Sequence, residues 1–167
     1  MIKRITAIGA LLAISAFASL SCSSENTANN FLPKAAQGGM TEVQLGQMAM
    51  QRAGSDAVRA FGQTMVTDHT QANNELKQLA ARKNITLPTD VSSKQKSMID
   101  KLSKLSGAEF DKEYMQGMVK DHEEDVEDFQ EESNKGSDAE VKAFAAKTLP
   151  VLQRHLQMAR QISANTK

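Results

Sequence analysis

The sequence predicts an all-α protein, with four main helices in an up-down bundle behind a cleaved N-terminal signal peptide. Two observations lead to this prediction. Apolar residues recur every three or four positions over long stretches, as on a helix with one buried face. No stretch alternates apolar and polar residues with the period of two that a half-buried strand shows. Because the connections between the helical stretches look short, an up-down arrangement is favoured.

The first 21 residues are typical of a signal peptide. Lys3 and Arg4 precede an apolar segment, 5–20, that is too short for a good membrane-spanning helix. Two cleavage sites remain open. One is an Ala-x-Ala site at 16–18, and the other is a sequence at 19–22 that resembles a bacterial lipobox, with Ser19 in place of the usual aliphatic residue.

The single cysteine, Cys22, follows the apolar segment directly and precedes a polar stretch, 23–30. A lone cysteine cannot form an intrachain disulfide, so it is a stray thiol, an intermolecularly paired thiol or a lipid attachment point, and its position favours the lipid. We therefore expect a signal peptide at 1–21, an acylated cysteine and tether at 22–36, and a helical domain at 37–167. The membrane, reached through this lipid anchor, is the predicted partner, in the periplasm or at the outer membrane of a Gram-negative bacterium.

Charge and aromatic content argue against a nucleic-acid-binding protein. Without Lys3 and Arg4 the chain carries slightly more acidic than basic residues, so no basic face is expected. The chain has no tryptophan and one tyrosine, which leaves no stacking platform for bases.

Glycine, proline and serine mark the ends of the helices. The first helical stretch follows Gly38-Gly39, and the second follows Gly54-Ser55. A loop is predicted at 84–92, an interruption of the third stretch at 106–107, and a turn before the last stretch at 135–137.

Serines are expected to cap these helices. Ser55 is an N-cap candidate, and Ser92, Ser106 and Ser137 each have a Gln or Glu three positions later, which is the pattern of a capping box. Pro150 lies inside the last stretch, where it should kink the helix or mark a start, because proline has no amide donor.

A short motif occurs twice, 53 residues apart. An aromatic residue is followed by Met-Val-x-Asp-His in both copies, which end at His69 and His122. Two helices are therefore expected to present the same groups in the same order.

All three histidines fall on apolar helix faces. His69 and His122 each follow a methionine by four positions, and His155 lies between Leu152 and Leu156. Because residues three and four apart share a helix face, each imidazole should point into the bundle.

Carboxylates accompany these histidines. Asp68 and Asp121 directly precede two of them, so each is better placed to meet a histidine from another helix than its own neighbour, as a carboxylate that orients a metal-binding imidazole or as a ligand. Glu42 shares a face with apolar residues of the first stretch and should point inward.

The functional hypothesis is a transition-metal site formed by His69, His122, His155 and Glu42, because imidazole suits Cu, Zn and Fe. Thioethers favour Cu(I), and Met65 and Met118 lie one turn before two of the histidines. The alternative is a structural or interaction module of the cell envelope, with core histidines held by hydrogen bonds and methionines as filler.

Several motifs together carry a family resemblance that covers 31–162. They include Gly38-Gly39-Met40-x-Glu42, the two Met-Val-x-Asp-His copies, and Leu149-Pro150-x-Leu152-x-x-His155. With them the chain resembles a bacterial exported family known as a domain of unknown function, often titled predicted outer-membrane protein and placed in the ferritin-like superfamily. The resemblance implies a ferritin-like four-helix bundle and assigns no activity.

The motif of a ferritin-type di-iron enzyme does not occur. Such centres use Glu-x-x-His on two helices, whereas Val66, Val119 and Leu152 stand three positions before the histidines here. An enzyme is therefore the less favoured class, and no catalytic residue is predicted.

Overall fold

The computed structural model describes residues 21–166, with side chains from Ala28 onward. The predicted signal peptide lies outside the described residues, apart from Ser21. The five helices are α1 (Ser21–Arg52), α2 (Asp56–Arg82), α3 (Ser93–Leu102), α4 (Gly107–Lys135) and α5 (Ala139–Asn165). Within the described part of the chain no strand forms, so the all-α prediction is confirmed. None of these helices combines the length and hydropathy needed to cross a membrane.

Four long helices make up the bundle. α1 packs mainly on α2 and α4 mainly on α5, and the two hairpins meet through α2–α5 and α1–α4 contacts. The α1–α2 turn touches the start of α4, where Ala53 pairs with Gly107 through the backbone. The Asp111 carboxylate of α4 also accepts hydrogen bonds from the amides of Gly54 and Ser55, at 2.9 and 2.8 Å.

These contacts fix the helix directions and correct one expectation. α2 and α4 begin at the same end of the bundle, so they run parallel, and residues 83–106, including α3, form a long crossover between them. The expectation of short connections throughout, and of a simple up-down order, is therefore wrong. The third predicted stretch consists of two helices, α3 and α4. They are separate because Gly107, at φ +62°, adopts the left-handed conformation that glycine favours, and α4 begins at this residue.

The first helix begins earlier than predicted. α1 starts at Ser21 and continues through Pro33 and the Gly38-Gly39 pair at which its start was expected. Residues assigned to the tether at 22–36 are thus helical, and Phe31 and Leu32 are buried in the core. The packing of Phe31 and Leu32 in the core outweighs the weak helix propensity of Pro33 and of the glycine pair that suggested a boundary.

The capping predictions are half right. Ser55 accepts from the Val58 amide, and Ser92 forms a complete capping box with Gln95. Ser106 makes no side-chain cap, and Asp138 rather than Ser137 caps α5. α5 continues as one helix through the exposed Pro150.

The core consists of two apolar clusters. One lies at the end where α2 ends and α5 begins, and it contains Phe31, Phe129 and Phe144. The other lies at the end with the α1–α2 turn, and it contains Phe61, Phe110 and Tyr114. In each long helix the sequence passes from one cluster to the other, and a buried polar residue lies between them.

Candidate metal centre

Each long helix places a buried histidine or glutamate between the two apolar clusters. These residues are Glu42 of α1, His69 of α2, His122 of α4 and His155 of α5, and none is more than 6% exposed. The ring centroids of the histidines are 5.3, 5.5 and 5.8 Å apart. The structure thus brings together the three histidines and the glutamate that the sequence singled out, in one layer that we call the polar layer.

One nitrogen of each imidazole lies within hydrogen-bond distance of a carboxylate or carbonyl oxygen. His69 Nδ1 lies 2.9 Å from Glu42 Oε2, and His122 Nδ1 lies 2.9 Å from the Met118 carbonyl oxygen. His155 Nε2 lies 2.8 Å from Asp68 Oδ2. Because a carbonyl or a carboxylate accepts, these nitrogens carry the protons of the neutral rings.

The remaining nitrogens carry lone pairs and have no hydrogen-bond partner. His69 Nε2, His122 Nε2 and His155 Nδ1 are all buried in this state. One nitrogen from each histidine lies within 4.8 Å of those of the other two. Nitrogens bound to one ion about 2.0–2.1 Å away are roughly 3.4 Å apart, so small side-chain movements would suffice to close the site around a metal.

Burial keeps the imidazoles neutral. It lowers the pKa of His69 to about 4, against the opposing charges of Asp125 and Asp68. Burial likewise lowers the pKa of His155 to about 4 and that of His122 below its ordinary value. At neutral pH the three rings therefore offer lone pairs rather than protons, which is the state that binds a metal.

Glu42 touches two of the three histidines. Besides its contact with His69, its Oε1 lies 3.3 Å from His122 Nε2, and neither of these two atoms has a hydrogen-bond partner. Two acceptors so close repel each other unless a proton or a cation lies between them. Burial raises the pKa of Glu42 to about 7, although the charge of His122 opposes the shift.

The predicted aspartates have different surroundings. Asp68 meets a histidine of another helix, as expected, and also accepts from Arg154 at 2.8 Å. Burial by itself would raise the pKa of Asp68, but hydrogen bonds from His155 and Arg154 hold it below its ordinary value. Asp121 contacts no histidine within the described part of the chain and lines a surface groove instead.

Sequence reasoning missed Asp125. This carboxylate lies beside Glu42, and its charge also acts on His69. Burial, and then the charge of Glu42, raise the pKa of Asp125 well above its ordinary value. The signal was available, because Asp125 is three residues after His122 and so shares its helix face.

A small cavity adjoins the polar layer. It has a volume of about 20 Å³ and is lined by His69, Glu42, Asp125, Asn73 and Thr148, among mostly apolar neighbours. This is room for about one water molecule beside the imidazoles.

Comparisons with known proteins place the fold. A DUF305 fragment from Deinococcus radiodurans is similar with a TM-score of 0.74 at 12% identity, over 83% of this chain and 96% of that one. A protein titled CopM in the Cu(II)-bound form is similar with a TM-score of 0.70 at 14% identity, over the same shares of the two chains. No curated protein sequence matches the chain. A family model described as a domain of unknown function, DUF4142, matches residues 16–162.

Proposed function

The chain belongs to this family, DUF4142, whose description names no activity, and from its histidine centre we propose that it binds a transition-metal ion. Two observations on the polar layer support the proposal: one nitrogen of each histidine lies within 4.8 Å of those of the other two, and three buried imidazole nitrogens have no hydrogen-bond partner. Leaving a buried polar atom unsatisfied costs about 1–3 kcal/mol. An ion bound by all three nitrogens would remove that cost.

The contacts around the histidines match those of known metal sites. A ligand imidazole usually donates its second N–H to a carboxylate or a backbone carbonyl, which fixes the tautomer and makes the ligand more basic. Glu42, the Met118 carbonyl and Asp68 stand in these positions for the three histidines. In this proposal Glu42 and Asp68 orient the ligands, and Glu42 Oε1 is also close enough to become one.

Three imidazoles without a cysteine suit Cu, Zn or Fe, and copper is our first choice. The similar CopM was solved with Cu(II), and Met65 and Met118 are buried one turn from two of the histidines. We propose binding rather than catalysis because the Glu-x-x-His pairs of di-iron enzymes do not occur in the sequence.

We also propose the fold family and the cellular location. One long crossover between parallel α2 and α4 is the connection found in ferritin-like bundles. The signal peptide and Cys22 support an exported lipoprotein of the periplasm or outer membrane. Mass spectrometry of the mature N-terminus tests this directly.

Titration of the metal-free protein tests the metal site. Anaerobic titration with Cu(I) and Cu(II), and separate titrations with Zn(II) and Fe(II), should show one ion per chain with sub-micromolar affinity. Replacing His69, His122 or His155 by alanine should abolish binding, whereas Met50→Ala, on the exposed surface, should leave it unchanged.

The second candidate is a structural or interaction module with no metal. The cavity of about 20 Å³ favours it, because one water there could satisfy His69. This candidate is correct if no metal binds, or if the alanine variants bind as the unmodified protein does. It also predicts that no added metal raises the melting temperature.

A further inference from the structure

A buried site needs a route for the ion. Two surface grooves, each with a volume of about 240 Å³, reach a residue that contacts the histidines. The first groove, between α1, α3 and α4, reaches Glu42, and we call it the Glu42 groove. The second, between α2 and α5, reaches Asp68, and we call it the Asp68 groove.

The two grooves differ in charge. Five carboxyl groups and two lysines line the Glu42 groove. The lysines are engaged at its rim, where Lys34 pairs with Asp128 at 2.5 Å and Lys94 with Glu124 at 3.5 Å. Three carboxyl groups are left without a lysine or arginine partner within the described part of the chain: Glu42, Asp121 and Asp125.

The charges of the Asp68 groove cancel. Asp68 pairs with Arg154 at 2.8 Å, and Glu75 pairs with Lys147 at 2.7 Å. These four residues are the charged residues that line that groove. A cation near its mouth would therefore meet no net attraction.

The inner end of the Glu42 groove provides an independent sign of a ligand. Glu42 is 3% exposed, and its Oε1 has no hydrogen-bond partner. The same carboxyl group touches His69 and His122. An ion that reached Glu42 from the groove would thus already be beside two of the three imidazoles.

We infer that the Glu42 groove is the route by which a hydrated divalent metal ion reaches the histidines, with Asp121 and Asp125 attracting the ion and passing it to Glu42. This inference rests on the proposed function. Clefts lined by one sign of charge can accelerate association by 10- to 1,000-fold.

Stopped-flow binding of Cu²⁺ tests the route. Tyr114 is the only tyrosine and the chain has no tryptophan. Burial, and then the nearby charge of Glu42, raise the pKa of Tyr114, so this ring is close to the site. Quenching of its fluorescence therefore reports arrival of the ion. Asp121→Asn is the cleanest variant because, in the described part of the chain, Asp121 lines the groove and forms no hydrogen bond or ion pair with a histidine. At low salt we expect its association rate to fall by about tenfold and its dissociation rate to change much less, and the loss should shrink at high salt.

Two further variants make the test specific. Lys94→Gln removes a positive charge from the rim of the Glu42 groove, so Cu²⁺ should bind faster, which a folding defect would not produce. Glu75→Gln removes the same charge as Asp121→Asn but from the Asp68 groove, and it should leave both rates unchanged.

The outcomes separate the route from the site. If Cu²⁺ binds tightly but Asp121→Asn does not slow it, or Glu75→Gln slows it equally, the route is wrong and the proposed function stands. If Asp121→Asn weakens binding by speeding dissociation while association is unchanged, Asp121 acts on the bound ion and the route is again wrong. If the unmodified protein binds no metal, the proposed function itself fails.

Discussion

Glu42→Gln is expected to stabilise the metal-free protein at pH 8. Burial raises the pKa of Glu42 from 4.5 to about 7, so the folded state disfavours the ionised carboxylate. At about 1.4 kcal/mol per pH unit, this shift corresponds to about 3 kcal/mol of stability, present below pH 4.5 and lost as the pH rises through 7. A glutamine amide has no such penalty, and its N–H can donate to the unpartnered His122 Nε2.

Chemical denaturation followed by circular dichroism, with a chelator present, measures this effect. The variant should exceed the unmodified protein by about 3 kcal/mol at pH 8, and the difference should shrink as the pH falls to 4.5. Glu75→Gln, at a surface salt bridge with Lys147, is the control and should change stability by less than about 1 kcal/mol. A Glu42→Gln protein less stable at pH 8, or a difference independent of pH, would refute the reasoning.

Three further substitutions test the site and the fold. Asp68→Asn should weaken metal binding by about 10- to 100-fold, measured by competition with a chelator, because the group that orients His155 is no longer charged. Glu75→Gln is the control and should leave the affinity unchanged. Asp111→Asn should lower the free energy of unfolding by about 1.5–3 kcal/mol, because a charged acceptor of two turn amides is lost. Gly46→Ala should lower the free energy of unfolding by about 1–3 kcal/mol, because the added methyl group would lie 2.6 Å from a carbonyl oxygen of α2. Gly38→Ala is the control and should not lower it, because the nearest atom to its methyl group would be 3.8 Å away.

The helical class and the contents of the polar layer were predictable because they follow from local periodicity. His69, His122, His155 and Glu42 each lie on an apolar stripe, and a polar residue on such a stripe must be buried with the stripe. The repeat of 53 residues also corresponds to a structural relation. Phe61 and Tyr114, its aromatic members, contact each other across the parallel helices with ring centroids 6.1 Å apart.

Other features depend on tertiary contacts that no local pattern shows. The start of α1 was misplaced because Phe31 and Leu32 stabilise the helix only once they pack on other elements. The direction of α4 depends on Asp111 reaching the α1–α2 turn. The spacing of Asp125 from His122 places it on the same helix face, but its proximity to Glu42 depends on how α1 packs against α4.

The polar layer also restricts how the four helices can slide along one another. A helix displaced by one turn, about 5.4 Å, would place its histidine or Glu42 against an apolar cluster and would leave an apolar side chain among the other three polar residues. Such a slip would remove the acceptors of His69 and His155, which lie on neighbouring helices. Alternative alignments of the bundle therefore lose buried hydrogen bonds, and the layer selects a single register of the helices.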